Sequence, residues 1–259
     1  MLDDIVISRA IIESYYKEIL DNLESDVVIC GAGPSGLCAS YFLSKEGFKV
    51  VVFERALRPG GGMPGGGMMF NKIVIQEESK PLLDEWGIET THYRDNYYVA
   101  SSLETLGVLL SQAIKKGARI FNCISVEDVL IYKKEIHGVV INWSAAEIAK
   151  LHVDPLSVRS SYVVDATGHA AEIAQVVSRK SGAKLLTSTG ELIGEKPMWA
   201  DKGEKALLRN TKEIFSRLYV CGMAANAVFG GPRMGPIFGG MLLSGQKVAQ
   251  LISKRLRQK

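Results

Sequence analysis

The sequence has little of what marks extracellular, membrane or nucleic-acid-binding proteins. It contains only four cysteines in 259 residues, and no CxxC pair, so it indicates neither a zinc ribbon nor a disulfide framework. It lacks an uncharged apolar run of about 18 residues and a basic, signal-like N-terminal segment. The net charge is only +3, without a basic stripe. We therefore expect a soluble cytoplasmic protein with buried, reduced thiols and no nucleic-acid or membrane partner.

The residues that are present fit one large α/β domain. Hydrophobic residues make up 47% of the chain, enough for a sizeable core. Ser8 is expected to cap the first helix, which carries an apolar stripe. The predicted organisation of this single domain, 1–259, is an N-terminal helix at 8–23, a βαβ core at 26–70, an inserted helix and β-meander at about 71–157, and a returning core at 160–259.

A strand, a glycine turn and a helix start follow one another in DVVICGAGPSG at 26–36. Gly31 allows the tight turn, Gly33 leaves room for a pyrophosphate, and Gly36 lets the helix pack closely on the strand. Glu54 closes the next strand, 18 residues after Gly36, where an acid can accept ribose hydroxyls and repel the 2′-phosphate of NADP. The motif predicts binding of an ADP moiety and leaves NAD and FAD both open.

Two other glycine-containing segments refine this prediction. Six of the eight residues at 60–67 are glycine. Because this segment follows Glu54 within the βαβ unit, we favour a loop that approaches a ligand over a flexible linker. The order of elements resembles flavoproteins of the two-dinucleotide-binding type, in which a late strand ends in Gly-Asp and the aspartate holds the ribityl chain. Here that position is Gly222-Met223, and the missing acid disfavours FAD.

Three further side chains are candidates for chemistry. His169 follows a strand that ends in DATG, so it is expected at the ligand-binding edge of the sheet. With Asp154 it could hold Fe(II), Mn(II) or Zn(II), although the spacing alone favours a turn-capping aspartate and a histidine on a turn. Arg233 lies among glycine, proline and apolar residues, and either clamps a carboxylate or forms a structural ion pair.

Together, six motifs resemble the thiamine thiazole synthase family, in particular its archaeal branch, over about residues 8–257. They are GAGPSG at 31–36, FER at 53–55, the glycine triplets at 60–62 and 65–67, HVDP at 152–155, ATGH at 166–169 and RMGPIFG at 233–239. The resemblance implies a Rossmann-like α/β fold of the two-dinucleotide-binding flavoprotein type with a small inserted β-meander.

The resemblance also implies that NAD is a substrate. Nicotinamide is released, ADP-ribose condenses with glycine, and addition of sulfur gives an ADP-thiazole carboxylate, the thiazole precursor of thiamine. In the eukaryotic branch a cysteine supplies the sulfur and is consumed, whereas the matching residue here is His152. The chain should therefore take sulfide from solution, with Fe(II) as its carrier, and turn over repeatedly. The alternatives are an FAD-dependent oxidoreductase and a non-catalytic NAD-sensing module.

The family's residue roles can be placed on this sequence. Asp154 and His169 would bind iron, Arg233 would hold the glycine carboxylate, and His152 is a candidate base. The segment 152–154 would reach the site from a neighbouring subunit of a ring of eight. The residues expected to contact the dinucleotide are Gly31, Gly33, Ser35, Gly36, Glu54, Arg55, Gly62, Val126, His152, Val153, Asp154 and Met223.

Overall fold

The computed structural model describes residues 1–258. Its helices are α1 (Asp4–Asp21), α2 (Pro34–Lys45), α3 (Lys80–Glu85), α4 (Ser102–Lys115), α5 (Ser144–Ile148), α6 (Glu172–Lys180), α7 (Ala200–Asn210), α8 (Met223–Phe229) and α9 (Gly239–Leu256). Its strands are β1 (Glu24–Cys30), β2 (Val50–Glu54), β3 (Lys72–Gln76), β4 (Thr90–Arg94), β5 (Tyr97–Ser101), β6 (Arg119–Asn122), β7 (Ile124–Tyr132), β8 (Glu135–Trp143), β9 (Leu156–Asp165), β10 (Glu213–Phe215) and β11 (Leu218–Val220).

The main sheet has the strand order β10-β11-β9-β1-β2-β6, and the β7–β8 hairpin joins it through β9. Strand β1 lies between β2 and β9 and is parallel to both, while β11 is parallel to β9. The carboxyl ends of these four strands therefore meet at one edge, where open α/β sheets bind ligands. The predicted α/β class is confirmed.

Both faces of the main sheet are buried. Val27 and Ile29 of β1 pack into one hydrophobic cluster, whereas Val28 and Cys30 pack into a second cluster on the opposite face. Successive side chains of a strand point to opposite faces, so a strand covered on both sides reads as a continuous apolar run. This explains the uninterrupted VVIC sequence that precedes the glycine turn.

The inserted segment contains a second, antiparallel sheet in the order β3-β5-β4. Strands β4 and β5 lie within the inserted segment at about 71–157, where a helix and a β-meander were expected, but sequence analysis missed β3. The five residues of β3 begin shortly after the glycine-rich loop at 60–67, and their pairing with β5 is what defines them as a strand. The short elements α5, α7, α8 and β10 were also missed, because tertiary packing rather than a long periodic pattern specifies them.

The first helix begins earlier than predicted. The carboxylate of Asp3 accepts hydrogen bonds from the backbone N–H groups of Ile5 and Val6, so Asp3 caps α1. The prediction of Ser8 as the cap was wrong, because Ser8 lies inside the helix and its hydroxyl donates to the carbonyl of Asp4. No residue of α1 is buried.

Three of the four thiols are buried, as expected, and all four are free. Cys123 is only partly buried, because it lies in the tight turn between β6 and β7 with a φ of 58°. Within residues 1–258, none of the helices combines the length and the apolar character needed to cross a membrane.

Candidate functional site

A cavity of about 1180 Å³ opens at the carboxyl edge of the main sheet. Pockets of about 300–1,000 Å³ hold drug-sized ligands, so this one has room for a dinucleotide. The residues predicted from sequence that line it are Gly31, Gly33, Ser35, Glu54, Arg55, Gly62, Val126, His169, Met223 and Arg233.

The three fingerprint glycines have different surroundings. Gly31 has a φ of 104° and its N–H donates to the carbonyl of Phe53 at 2.8 Å. A Cβ at Gly36 would collide with the carbonyl oxygen of Gly31, whereas a Cβ at Gly33 would meet nothing within 4 Å. Gly31 and Gly36 are therefore required by the fold itself, while Gly33 keeps space open in the cavity.

Glu54 is a buried carboxylate anchored by two backbone groups. Its Oε2 accepts a hydrogen bond from Ala32 N in the glycine turn, and its Oε1 accepts one from Ala56 N, both at 2.8 Å. Each carboxylate oxygen can accept a second bond. The side chain is thus held rigidly at the cavity wall with acceptor capacity left for ribose hydroxyls.

Arg55 forms an ion pair that the sequence did not reveal. Its Nη1 lies 2.5 Å from Oε1 of Glu172, the first residue of α6, and both residues line the cavity. Burial raises the pKa of the Glu172 carboxyl, while Arg55 opposes that rise. An anionic ligand would compete with Glu172 for the guanidinium group.

A buried carboxylate shapes the turn that presents His169. Asp165 ends β9 and is fully buried, and its Oδ1 accepts from the backbone N (3.0 Å) and hydroxyl (2.6 Å) of Thr167. Its Oδ2 accepts from Ala174 N in α6 at 2.9 Å. Burial raises the pKa of Asp165, and these hydrogen bonds oppose the rise. The DATG sequence thus ties the end of β9 to the start of α6.

His169 has a carboxylate partner that sequence analysis missed. Its Nδ1 lies 2.8 Å and 2.9 Å from the two carboxylate oxygens of Glu195. Glu195 belongs to the irregular segment between α6 and α7, 26 residues further along the chain, so local spacing gives no signal for this contact. With Nδ1 engaged, Nε2 is the nitrogen left for a ligand.

Asp154 and His169 are not brought together within one chain. His152, Val153 and Asp154 lie in an exposed segment before β9, outside the lining of the cavity. The backbone carbonyl of Val153 accepts a bond from Asn142 at 3.0 Å. Among the described residues, no group of three or more His, Cys, Asp or Glu side chains is placed to hold a metal ion.

Arg233 is exposed at the cavity wall, and its backbone is fixed on both sides. Its N–H donates to the carbonyl of Lys196 at 3.1 Å, and its carbonyl accepts from Trp199 N at 2.9 Å. Its guanidinium makes no ion pair with any residue of the described chain. It is free to meet an anionic group in the cavity.

Comparison with known proteins gives concordant results. The model of the Thi4 family matches residues 8–238. A thiamine thiazole synthase of Methanothermobacter thermautotrophicus is 56% identical over 256 residues, covering 99% of each chain. One from Pyrococcus horikoshii is 51% identical over 257 residues, covering 99% of this chain and 100% of its own.

Solved structures agree with these relatives. The crystal structure of Thermovibrio ammonificans THI4 has a TM-score of 0.98 and 47% identity, and the match covers 99% of this chain and 100% of that one. A geranylgeranyl bacteriochlorophyll reductase-like protein from Thermoplasma acidophilum has a TM-score of 0.51 and 13% identity over 91% of this chain and 79% of its own, which shows a shared fold alone. The resemblance inferred from the motifs is confirmed, and the chain belongs to the Thi4 family.

Proposed function

We propose that this chain is a thiamine thiazole synthase that converts NAD, glycine and sulfide into an ADP-thiazole carboxylate and releases nicotinamide. One observation carries the proposal: a single cavity, in a chain of this family, holds both the dinucleotide fingerprint and an unpaired arginine. Met223, at the position where related flavoproteins have an acid, is buried and lines that cavity. A flavin therefore lacks its usual anchor.

The NAD substrate is held through its ADP portion. The free N–H groups at the start of α2, near Ser35, and the helix dipole suit the pyrophosphate. The Glu54 carboxylate accepts hydrogen bonds from the ribose hydroxyls. Arg55 leaves its ion pair with Glu172 and binds phosphate oxygens instead. Gly62 and the backbone of Val126 contact the remainder of the ADP. These groups fix the dinucleotide with its nicotinamide ribose toward His169 and Arg233.

Arg233 holds the second substrate. A guanidinium group binds a carboxylate through two parallel hydrogen bonds, which fixes orientation as well as charge. Because the backbone of Arg233 is held by Lys196 and Trp199, the clamp is built on a defined loop. The amine of glycine can then face the sugar carbon with which it condenses.

One chain supplies only part of a ligand set for Fe(II). His169, oriented through Nδ1 by Glu195, has the carboxylate–histidine arrangement typical of metal ligands. Asp154 from a second copy of the chain would add a carboxylate oxygen, and this mixed nitrogen and oxygen set suits Fe(II). When bound, Fe(II) supplies a Lewis acid that carries sulfide as HS⁻.

The sulfur source follows from residue 152. The His152 imidazole carries no sulfur, so sulfide must come from solution and the protein can turn over repeatedly. An imidazole is also a suitable general base for the proton transfers along the sugar chain. The four free thiols fit a reducing, cytoplasmic location.

The function we propose needs an oligomer, because Asp154 must approach the cavity of another copy. Helix α1 offers a surface for such contacts: Ile11 and Ile12 are each 65% exposed and Tyr16 is 62% exposed in the single chain. Exposed apolar surface of this kind marks an interaction site. We propose a homo-oligomer, with eight subunits by resemblance to the family.

The test is anaerobic incubation of the protein with NAD, glycine, sulfide and Fe(II), followed by mass spectrometry. The expected result is a thiazole adenylate in more than one equivalent per chain, with no product when sulfide or glycine is omitted. Folded, iron-loaded protein that makes no product would refute the proposal. A purified protein with a flavin absorption band would instead support the oxidoreductase alternative.

A further inference from the structure

A half-buried amide and a half-buried carboxyl meet behind the loop that carries Arg233. Gln76 is the last residue of β3, and Glu204 lies within α7. Gln76 Nε2 donates to Oε2 of Glu204 at 2.7 Å. A Cβ at Gly239 would collide with Gln76 Oε1, and a Cβ at Gly240 would collide with the Glu204 carboxylate. The glycine pair that opens α9 therefore makes room for these two side chains.

Two acceptors in this pair are left without donors. Gln76 Oε1 and Glu204 Oε1 are both buried, and neither has a hydrogen-bond partner within residues 1–258. An ionised carboxylate has acceptors only, and an amide oxygen is also an acceptor. Leaving two such atoms buried and unpaired is costly, and native structures rarely do so.

We propose that Glu204 is held as a neutral carboxylic acid whose Oε1–H donates to Gln76 Oε1, and that this acid–amide pair positions the Arg233 loop. One proton taken up from solvent satisfies both orphaned acceptors at once. The result is a closed pair of hydrogen bonds, one from the amide to the acid and one from the acid to the amide.

The electrostatic surroundings of Glu204 agree with this geometry. Burial, with a smaller contribution from the nearby Glu78 carboxylate, raises its pKa to about 7. The Gln76 side chain and the backbone N–H of Gly240 at the start of α9 oppose the rise. Within the described chain no cation forms an ion pair with Glu204, so its ionised form has no counter-ion.

The pair connects the elements that enclose the Arg233 loop. On one side, Val74 of β3 bonds the loop twice: its N–H donates to Pro236 O at 3.2 Å, and its carbonyl accepts from Phe238 N at 2.8 Å. On the other side, Trp199, which precedes α7, bonds the carbonyl of Arg233. Gln76 and Glu204 join β3 to α7 behind the loop. The neutral state of Glu204 does not depend on which ligand the cavity binds. Only the expected effect on glycine binding rests on the proposed function.

The test of protonation compares thermal unfolding of the wild type and Glu204→Gln from pH 4.5 to 9, with the exposed Glu191→Gln as the matched control. An unfolded glutamate ionises near pH 4.3, whereas native Glu204 keeps its proton to about pH 7. The wild type therefore loses stability as pH rises through this window, and the Glu204→Gln variant does not. We therefore compare the unfolding temperatures of the two proteins. Their difference, Glu204→Gln minus wild type, should grow by roughly 5–10 °C up to pH 7 and then level off. A pH-independent difference would overturn the protonation.

The test of positioning is amide hydrogen exchange over 232–240 in the substrate-free protein. We expect Glu204→Ala to speed exchange there by about tenfold, with β1 unchanged, and Glu204→Gln to restore wild-type protection. In the active enzyme, Glu204→Ala should raise the KM for glycine more than it lowers kcat. Unchanged exchange in Glu204→Ala would overturn the positioning role even if synthase activity is established.

Discussion

The cavity wall that would bind the dinucleotide and the wall that would bind iron differ in how much of each one chain supplies. On the dinucleotide side, the glycine turn, Glu54 and Arg55 are all in place, and Glu54 is anchored by two backbone N–H groups. On the iron side, His169 lines the cavity while Asp154 lies in an exposed segment outside it. The dinucleotide wall is complete within one chain, whereas the proposed iron site is completed only by assembly.

The largest effect is expected from removing either proposed iron ligand. His169→Ala and Asp154→Ala should each reduce synthesis of the thiazole adenylate by at least about 100-fold, because one donor does not hold the metal in a productive geometry. In His169→Ala, NAD binding measured by calorimetry should change little, since the residues expected to hold the ADP portion are intact. Full iron content after either substitution would contradict the ligand assignment.

The second prediction concerns the sulfur source. His152→Cys should allow one sulfide-free turnover per chain, with the protein losing the mass of one H₂S as the cysteine becomes dehydroalanine. His152→Ser is the control, since it offers a hydroxyl in place of the thiol. If intact-protein mass spectrometry shows no loss after incubation with NAD, glycine and Fe(II), residue 152 does not match the sulfur-donating cysteine.

The third prediction concerns the partner of His169. Glu195→Ala should weaken iron binding by about 10–100-fold, because the imidazole loses the hydrogen bond that fixes its tautomer and orientation. Glu195→Gln, which keeps an acceptor oxygen, should lose less. Equal iron affinity in the wild type and Glu195→Ala would show that the contact does not orient a metal ligand. Glu191→Ala serves as the exposed control.

The smallest effects are expected from alanine substitutions at two glycines of the same motif, which should act differently. Gly33→Ala should weaken NAD binding by about tenfold while leaving the unfolding midpoint nearly unchanged, because its Cβ meets only the cavity. Gly36→Ala should destabilise the protein by about 1–3 kcal/mol, because its Cβ collides with the Gly31 carbonyl. Loss of stability in Gly33→Ala without loss of NAD binding would remove the case for a pyrophosphate at this turn.

Local sequence predicted the dinucleotide wall because each part depends on residues close along the chain. The tight turn at Gly31 and the acid ending β2 have fixed spacings, and the structure places both at the cavity. The same reasoning missed Glu195 and Glu172, whose partners lie 26 and 117 residues away. It also missed β3, a strand defined by pairing with β5. Contacts of this kind are set by tertiary packing, which no local periodicity reports.

The central claim is that Asp154 of one subunit and His169 of another complete a shared site. Its most direct test is to mix inactive Asp154→Ala and His169→Ala proteins, dissociate and reassemble them, and measure thiazole adenylate formation. Mixed oligomers should regain up to about a quarter of wild-type activity, since some sites then receive both intact residues. Mixtures that stay as inactive as either parent, with mixed assembly verified by mass, would contradict a site shared between subunits.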